Sequence, residues 1–134
     1  MTFRYLLDTD HVSQLVKDAD SSAALRLLRV GTDRVCTSII VAAELRFGAA
    51  KRQSARLKAD LDAILRTLRV QPFEAPADAV YGELRSDLET RGRPIGGNDM
   101  LIAAHALALD CVLVTGNARE FKAVRGLRTE NWLR

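Results

Sequence analysis

The chain has 134 residues, of which 48% are hydrophobic and 28% charged, and its formal net charge at pH 7 is +3. At this length one domain is expected, and roughly two thirds of the unfolded surface is buried on folding, enough for a core without disulfide staples. The composition excludes a disordered tail, a collagen-like repeat and a disulfide scaffold. The basic excess is compatible with a polyanionic partner but too small to demand one. Cys36 and Cys111 match neither a CxxC motif nor metal-ligand spacing, and each sits in an apolar, β-branched run. They read as two buried thiols in a reducing, cytoplasmic setting. The apolar stretch after Arg4 meets an acid at Asp8, which does not resemble a signal peptide. No run approaches the ~18 apolar residues of a membrane span.

Short β-type runs alternate with helical stretches. Residues 4–8 read as a first strand, followed by a helix starting at Asp10, taken as its cap, and a second helix over 21–30. Residues 34–37 form a second strand, and Ser38 caps a helix over 39–50. Leu57, Leu61, Ile64, Leu65 and Leu68 mark one face of an amphipathic helix over 53–68. A strand at 70–73 and a helix over 76–89 follow, with Pro76 suited to the first turn. The Gly- and Pro-containing stretch 91–97 is a loop. A helix then runs to about Leu109, followed by a strand at 111–115, a turn at Gly116-Asn117 and a last strand within 127–130. This alternation predicts an α/β fold in three layers, α/β/α, around a mainly parallel sheet of about five strands. Ligands of such sheets bind beyond the carboxyl ends of the strands, where Asp8, Thr37-Ser38 and Thr115-Gly116-Asn117 fall.

Three acids stand out there. Asp8 follows Tyr5-Leu6-Leu7, a run that should be buried, although an Asp at a strand end is ordinarily a turn residue or cap. Glu44 and Arg46 are the only charges between residues 39 and 50. Glu44 has no basic residue at i−4 or i+4, so the bland reading is the exposed edge of a mostly buried helix. Asp99 opens its helix, where the dipole alone would favour it. Asp110 lies about 16 Å further along that helix and cannot share a site with Asp99. His11 and His105 have no zinc-ligand spacing and read as packing or surface residues. Three carboxylates converging without a basic partner repel one another. A hard divalent cation resolves that repulsion, and Mg²⁺ or Mn²⁺ among oxygen ligands activates water toward a phosphodiester.

Four stretches then carry a resemblance. They are Leu6-Leu7-Asp8-Thr9-Asp10, Thr37-Ser38-Ile39-Ile40-Val41-Ala42-Ala43-Glu44-Leu45-Arg46-Phe47-Gly48, residues 92–103 (Gly92 to Ala103) and Val114-Thr115-Gly116-Asn117-Ala118-Arg119-Glu120-Phe121. In order and interval they resemble the signature blocks of the PIN-domain superfamily, and the closing Gly126-Leu127-Arg128-Thr129-Glu130-Asn131-Trp132 is similar to the end of VapC-type toxins within it. The resemblance implies a single PIN-like nuclease domain over residues 1–134, acting as a Mg²⁺- or Mn²⁺-dependent endoribonuclease. It further implies the toxin of a type II toxin–antitoxin pair, restrained by a cognate antitoxin protein, with tRNA or another structured RNA as substrate and a homodimer as the assembly. By position, Asp8, Glu44 and Asp99 are the implied metal-binding acids. The fourth acidic position falls on Asn117, where many members carry Asp and others Asn. Thr9, Ser38 and Thr115 are the implied supporting hydroxyls, with Glu120 supplementing the pocket. Asp10 stands where Asn or Ser is common.

An amide at residue 117 can ligate a cation or orient water but adds no charge. One cation held firmly, chiefly by Asp8 and Asp99, is therefore expected, and a second only once substrate phosphate supplies oxygens. The implied reaction is in-line attack of metal-activated water, oriented or deprotonated by Glu44, leaving 5′-phosphate and 3′-hydroxyl ends. Arg91, Arg93, Arg119, Lys122 and Arg125 are candidates to steer RNA, since phosphate contacts provide position and affinity. Residues 119–134 carry five basic and two acidic groups, which favours a basic rim near Asn117. Two other readings stand beside this one. Asp8-Thr9-Asp10 with Val114-Thr115-Gly116 also resembles haloacid-dehalogenase-type phosphatases, with Asp8 as nucleophile and Asp10 as general acid, but residues 117–134 lack that family's paired acids. A non-catalytic module that binds RNA or the antitoxin is the second. Asp10→Asn separates phosphatase from nuclease: it should inactivate the former and largely spare the latter.

Overall fold

The computed structural model describes residues 2–133. Its strands are β1 (Tyr5–Leu7), β2 (Val35–Ser38), β3 (Arg69–Gln71), β4 (Val112–Val114) and β5 (Thr129–Glu130). They form one sheet in the order β3-β2-β1-β4-β5, with every pairing parallel. The helices are α1 (Thr9–Lys17), α2 (Ser22–Val30), α3 (Ile39–Arg52), α4 (Ala55–Thr67), α5 (Ala77–Thr90), α6 (Gly97–Ala108) and α7 (Ala118–Phe121). Helices α1 to α4 pack on one another, and α5 packs along α6. The chain moves outward one way from β1 through β2 to β3, then returns across β1 to β4 and β5. Right-handed crossovers therefore put the two helix groups on opposite faces, as the three-layer expectation requires.

Strand order reverses between β1 and β4, the switch point at which an open parallel sheet parts its loops to leave a crevice. Register makes the crevice floor level: Leu7 stands opposite both Thr37 and Val114. The next residues in the three strands, Asp8, Ser38 and Thr115, thus share one row at the carboxyl edge. The Asp8 amide continues the ladder by donating to Val114 O at 2.9 Å.

The core explains why these strands are short and still fixed. Leu6, Val35, Cys36, Leu113 and Val114 are fully buried, as are Ile102, Ala103, Ala104 and Ala106 of α6. Both cysteines are free and buried, as the sequence predicts. The small residues of α6 let it lie close to the sheet. Ser21, Ser38 and Ser54 cap α2, α3 and α4, their hydroxyls accepting from Ala24, Ile40 and Leu57 N–H, which satisfies helix donors that have no intrahelical partner. Gly31, at φ 100°, ends α2 in a backbone conformation that side chains disfavour.

Two expectations differ from the structure. The cap of α1 is Asp8, not Asp10: Asp8 has extended backbone and accepts from Thr9 N–H, whereas Asp10 lies within the first turn. Helix α7 occupies a stretch after the Gly116-Asn117 turn for which the sequence predicts no element. At four residues it is too short for any hydrophobic period to show.

Candidate active site

Asp8 sits at the centre of the crevice floor, 6% exposed. Its Oδ1 accepts from Thr9 N–H at 2.7 Å and Thr9 Oγ1 at 3.2 Å, and its Oδ2 accepts from Thr115 Oγ1 at 2.7 Å. Burial pushes the Asp8 carboxyl up from its ordinary pKa, and these donors work against that push. The single Thr9 hydroxyl proton is shared with Glu44, whose Oε1 lies 3.3 Å from Thr9 Oγ1. Glu44 is half-buried on α3 and held by Thr9, so it is not the exposed edge of its helix.

Asp99, in the first turn of α6, closes the cluster from the other side. Its carboxyl is pushed up to about 7, first by burial, then by the charge and hydrogen bond of Glu120, and also by the charges of Asp8 and Glu44. A helix N-terminus ordinarily lowers a carboxyl pKa, so burial, together with the surrounding acids, outweighs the dipole here. Glu120 is itself held from two sides. Gly96 N–H donates to its Oε1 at 3.1 Å, and the Asn117 side-chain amide donates to its Oε2. The Asn117 backbone N–H donates to Thr115 Oγ1 at 3.0 Å. Asp8, Glu44, Asp99, Asn117, Thr9, Thr115 and Glu120 are therefore linked around one crevice.

The remaining expected residues fall elsewhere. Ser38 is fully buried; besides capping α3 it bonds His105 Nδ1 at 2.7 Å, so it supports the helix that carries Glu44 and touches no acid. His105 and His11 are both buried among packed elements, as expected. Arg91 is braced internally, its guanidinium on Asp87 Oδ2 at 2.6 Å and on Ala123 O at 2.6 Å. Arg125 lies 3.9 Å from Asp87. Arg93, Arg119 and Lys122 are exposed, and among the described residues they have no ion-pair partner.

The importance of Glu120 exceeds its expected role, because its charge is the one that bears most strongly on Asp99. Its carrier α7 is one turn long, so only the spacing from Asn117 (i, i+3) could have signalled it. Asp10, by contrast, stays out of the cluster. One oxygen accepts from Gly116 N–H at 2.8 Å and the other meets His11 Nδ1 at 2.9 Å. These partners outweigh burial and hold its carboxyl below the ordinary range. Both Asp10 oxygens are thus taken by donors of the chain itself, which does not favour the general-acid role that the phosphatase reading gives it.

Among the described residues none of Asp8, Glu44, Asp99 and Glu120 is ion-paired, and no three His, Cys, Asp or Glu side chains lie close enough together to hold one metal ion as they stand. The donor set is all oxygen, in negative excess, and its electrostatic tension shows at Asp99. That chemistry fits Mg²⁺ or Mn²⁺ and not zinc, which favours nitrogen and sulfur ligands.

Known proteins share this sequence pattern and this fold. The PIN domain family model matches residues 5–127. Ribonuclease VapC2 of Rickettsia felis is 40% identical over 96% of this chain and 97% of its own length. The tRNA(fMet)-specific endonuclease VapC of Shigella flexneri is 34% identical over 96% and 98%. Among solved structures, VapBC2 of Rickettsia felis bound to a promoter DNA fragment superposes with a TM-score of 0.88 at 36% identity, covering 97% of this chain and 99% of the compared one. DNA-bound VapBC of Salmonella typhimurium gives 0.87 at 31% identity, covering 98% and 99%.

Proposed function

The chain belongs to the PIN domain family, and from that premise we propose that it is a divalent-cation-dependent endoribonuclease, the toxin of a toxin–antitoxin pair. The observation that carries this reading is the uncompensated carboxylate cluster of Asp8, Glu44, Asp99 and Glu120 at the sheet's switch point. Its relatives' names, ribonuclease VapC2 and tRNA(fMet)-specific endonuclease VapC, support structured RNA, and tRNA in particular, as substrate class. The VapBC neighbours support a small antitoxin as partner. Exposed Leu25 and Leu28 on α2 and Phe47 on α3 offer apolar surface for that partner or for a second copy of the chain in a homodimer. No helix among the described residues is long and apolar enough to cross a membrane, and cytoplasmic action on RNA is part of the proposal.

Asp8 and Asp99 would hold the cation, with Glu44 and Glu120 beside them. Bound there, Mg²⁺ or Mn²⁺ supplies Lewis acidity toward water and the phosphodiester. The chain's own groups do the rest. Thr9 and Thr115 keep both Asp8 oxygens oriented, and Oδ2, with a single donor, retains a free lone pair. Glu44, tethered by Thr9, is placed to orient the attacking water and accept its proton. Asn117 donates one side-chain amide proton to Glu120, and its carbonyl oxygen is left for water or substrate. Arg93, Arg119 and Lys122, exposed and without an ion-pair partner among the described residues, would receive phosphates flanking the scissile bond.

The test is cleavage of purified tRNA with Mn²⁺ or Mg²⁺, with and without EDTA, by the wild type and by Asp8→Ala. Metal-dependent cuts with 5′-phosphate and 3′-hydroxyl ends, absent from the variant, are expected. Cyclic 2′,3′-phosphate ends would exclude water as the nucleophile. Binding without any cleavage would leave the non-catalytic module.

A further inference from the structure

Both ring nitrogens of His11, a residue with no exposed surface, are engaged. Trp132 N–H donates to Nε2 at 2.9 Å, so Nε2 is the unprotonated nitrogen. A neutral imidazole then carries its proton on Nδ1, and that proton goes to Asp10 Oδ1 at 2.9 Å. The other Asp10 oxygen accepts from Gly116 N–H at 2.8 Å. Three hydrogen bonds in line thus join the C-terminal stretch, the start of α1 and the turn after β4. That turn is the one whose flanking residues serve the acids: Thr115 donates to Asp8, and Asn117 donates to Glu120.

We propose that Asp10 is a positioning residue for RNA cleavage: oriented by His11, it holds the Gly116 amide so that the turn delivers Thr115 to Asp8 and Asn117 to Glu120. The inference rests on the ribonuclease reading above and adds residues that touch none of the reacting atoms. The sequence around Gly116 supports it independently. A Cβ at Gly116 would lie 2.5 Å from Asp10 Oδ2 and 3.0 Å from Leu133 Cδ1. Its backbone is not in the positive-φ region, so this glycine is required by the close approach of Asp10 and not by its dihedrals. The obstructing atoms are ends of flexible side chains. Alanine there would push Asp10 away without breaking the fold.

The experiment compares Asp10→Ala, Asp10→Asn, Gly116→Ala and the double variant Asp10→Ala/Gly116→Ala, all as full chains, on a tRNA that the wild type cuts. Small displacements of reacting groups cost about ten- to hundredfold. Asp10→Ala and Gly116→Ala should each lower kcat by about that much, with KM and divalent-ion affinity nearly unchanged; Asp10→Ala should also lower Tm, because it leaves the buried His11 Nδ1–H without its acceptor. The double variant should fall no further than the worse single one, because both remove the same hydrogen bond. Asp10→Asn should recover most of the kcat lost in Asp10→Ala, since its carbonyl can still take the Gly116 amide. Its NH₂ then turns to His11 Nδ1, moving the imidazole proton to Nε2 against Trp132 N–H. A changed emission of Trp132, the chain's one tryptophan, reports that shift. Wild-type kcat in Asp10→Ala, multiplying losses in the double variant, or a loss of Mn²⁺ affinity matching the loss of rate would each overturn the proposal, the last by making Asp10 a ligand. A wild type that cuts no RNA would instead overturn the ribonuclease reading, and the proposal with it.

Discussion

Thr115 Oγ1 donates to Asp8 Oδ2 across 2.7 Å, joining the ends of the two strands between which the sheet reverses its order. This bond is the main side-chain donation opposing the burial that raises the Asp8 carboxyl. Thr115→Val keeps the shape and removes the donor. A buried acceptor that loses its partner costs about 1–3 kcal/mol, so thermal unfolding should come at lower temperature. With less help the carboxyl holds its proton to higher pH, so the acid limb of the pH–rate profile should move to higher pH. A profile that does not move would mean that Asp8 titrates independently of Thr115.

Asp99, with its carboxyl at about 7 against an ordinary 3.8, makes cation binding pH-dependent. The cation must displace a proton below pH 7, so apparent Mn²⁺ affinity should rise up to tenfold per pH unit from pH 5 toward 7 and then flatten. Calorimetry in buffers of different ionisation enthalpy should show about one proton released at pH 6. The sign for stability is opposite. Between about pH 4 and 7 the folded apoprotein binds more protons than the unfolded chain, so its stability falls as pH rises through that window. Asp99→Asn should weaken both dependences, leaving the part that the raised Asp8 carboxyl contributes, and a variant retaining the full affinity slope would place the titration elsewhere.

Asn117 supplies an amide where a fourth acid would otherwise stand, and its NH₂ neutralises part of Glu120. Asn117→Asp removes that donor and adds a charge beside Glu120. The apoprotein should become less stable at pH 8, and Asp99 should titrate higher still. A second cation, weak in the wild type until RNA phosphate completes its coordination, should bind measurably without RNA. Two equally tight ions in the wild-type titration would contradict a single firm site.

Much of this was legible in the sequence, and the limits have physical causes. The β-branched strand β2 and the serine cap of α3 obey local rules, so their places follow from local sequence. Asp8 and Asp10 both satisfy cap chemistry, and only backbone dihedrals separate them. The uses of Asp10 and His11 depend on Gly116 and Trp132, more than a hundred residues away, and no local pattern encodes such a pairing. Ser38 is expected near the acids, but its hydroxyl bonds His105 Nδ1 of α6. Ser38→Ala should therefore leave His105 Nδ1 and the Ile40 amide without a partner and cost about 1–3 kcal/mol in chemical denaturation. Among enzyme molecules that remain folded, the cleavage rate should be little changed.

The basic residues divide by what they already hold. Arg91 is saturated by Asp87 and the Ala123 carbonyl, so it joins α5 to the segment after α7. Arg91→Ala should lower Tm by several degrees and leave the salt dependence of KM intact. Arg119 and Lys122 flank Glu120 with no partner among the described residues, and Arg93 lies in the loop that leads to Gly96. If they meet phosphates, truncating any one of them should flatten the slope of log affinity against log salt by roughly 0.7–0.9, because one fewer counterion is released on binding. Arg119→Ala and Lys122→Ala should thus raise KM severalfold at low salt and less at high salt, with Tm unchanged. Equal losses at both salt concentrations would mean that these side chains shape the crevice and do not bind the backbone of RNA.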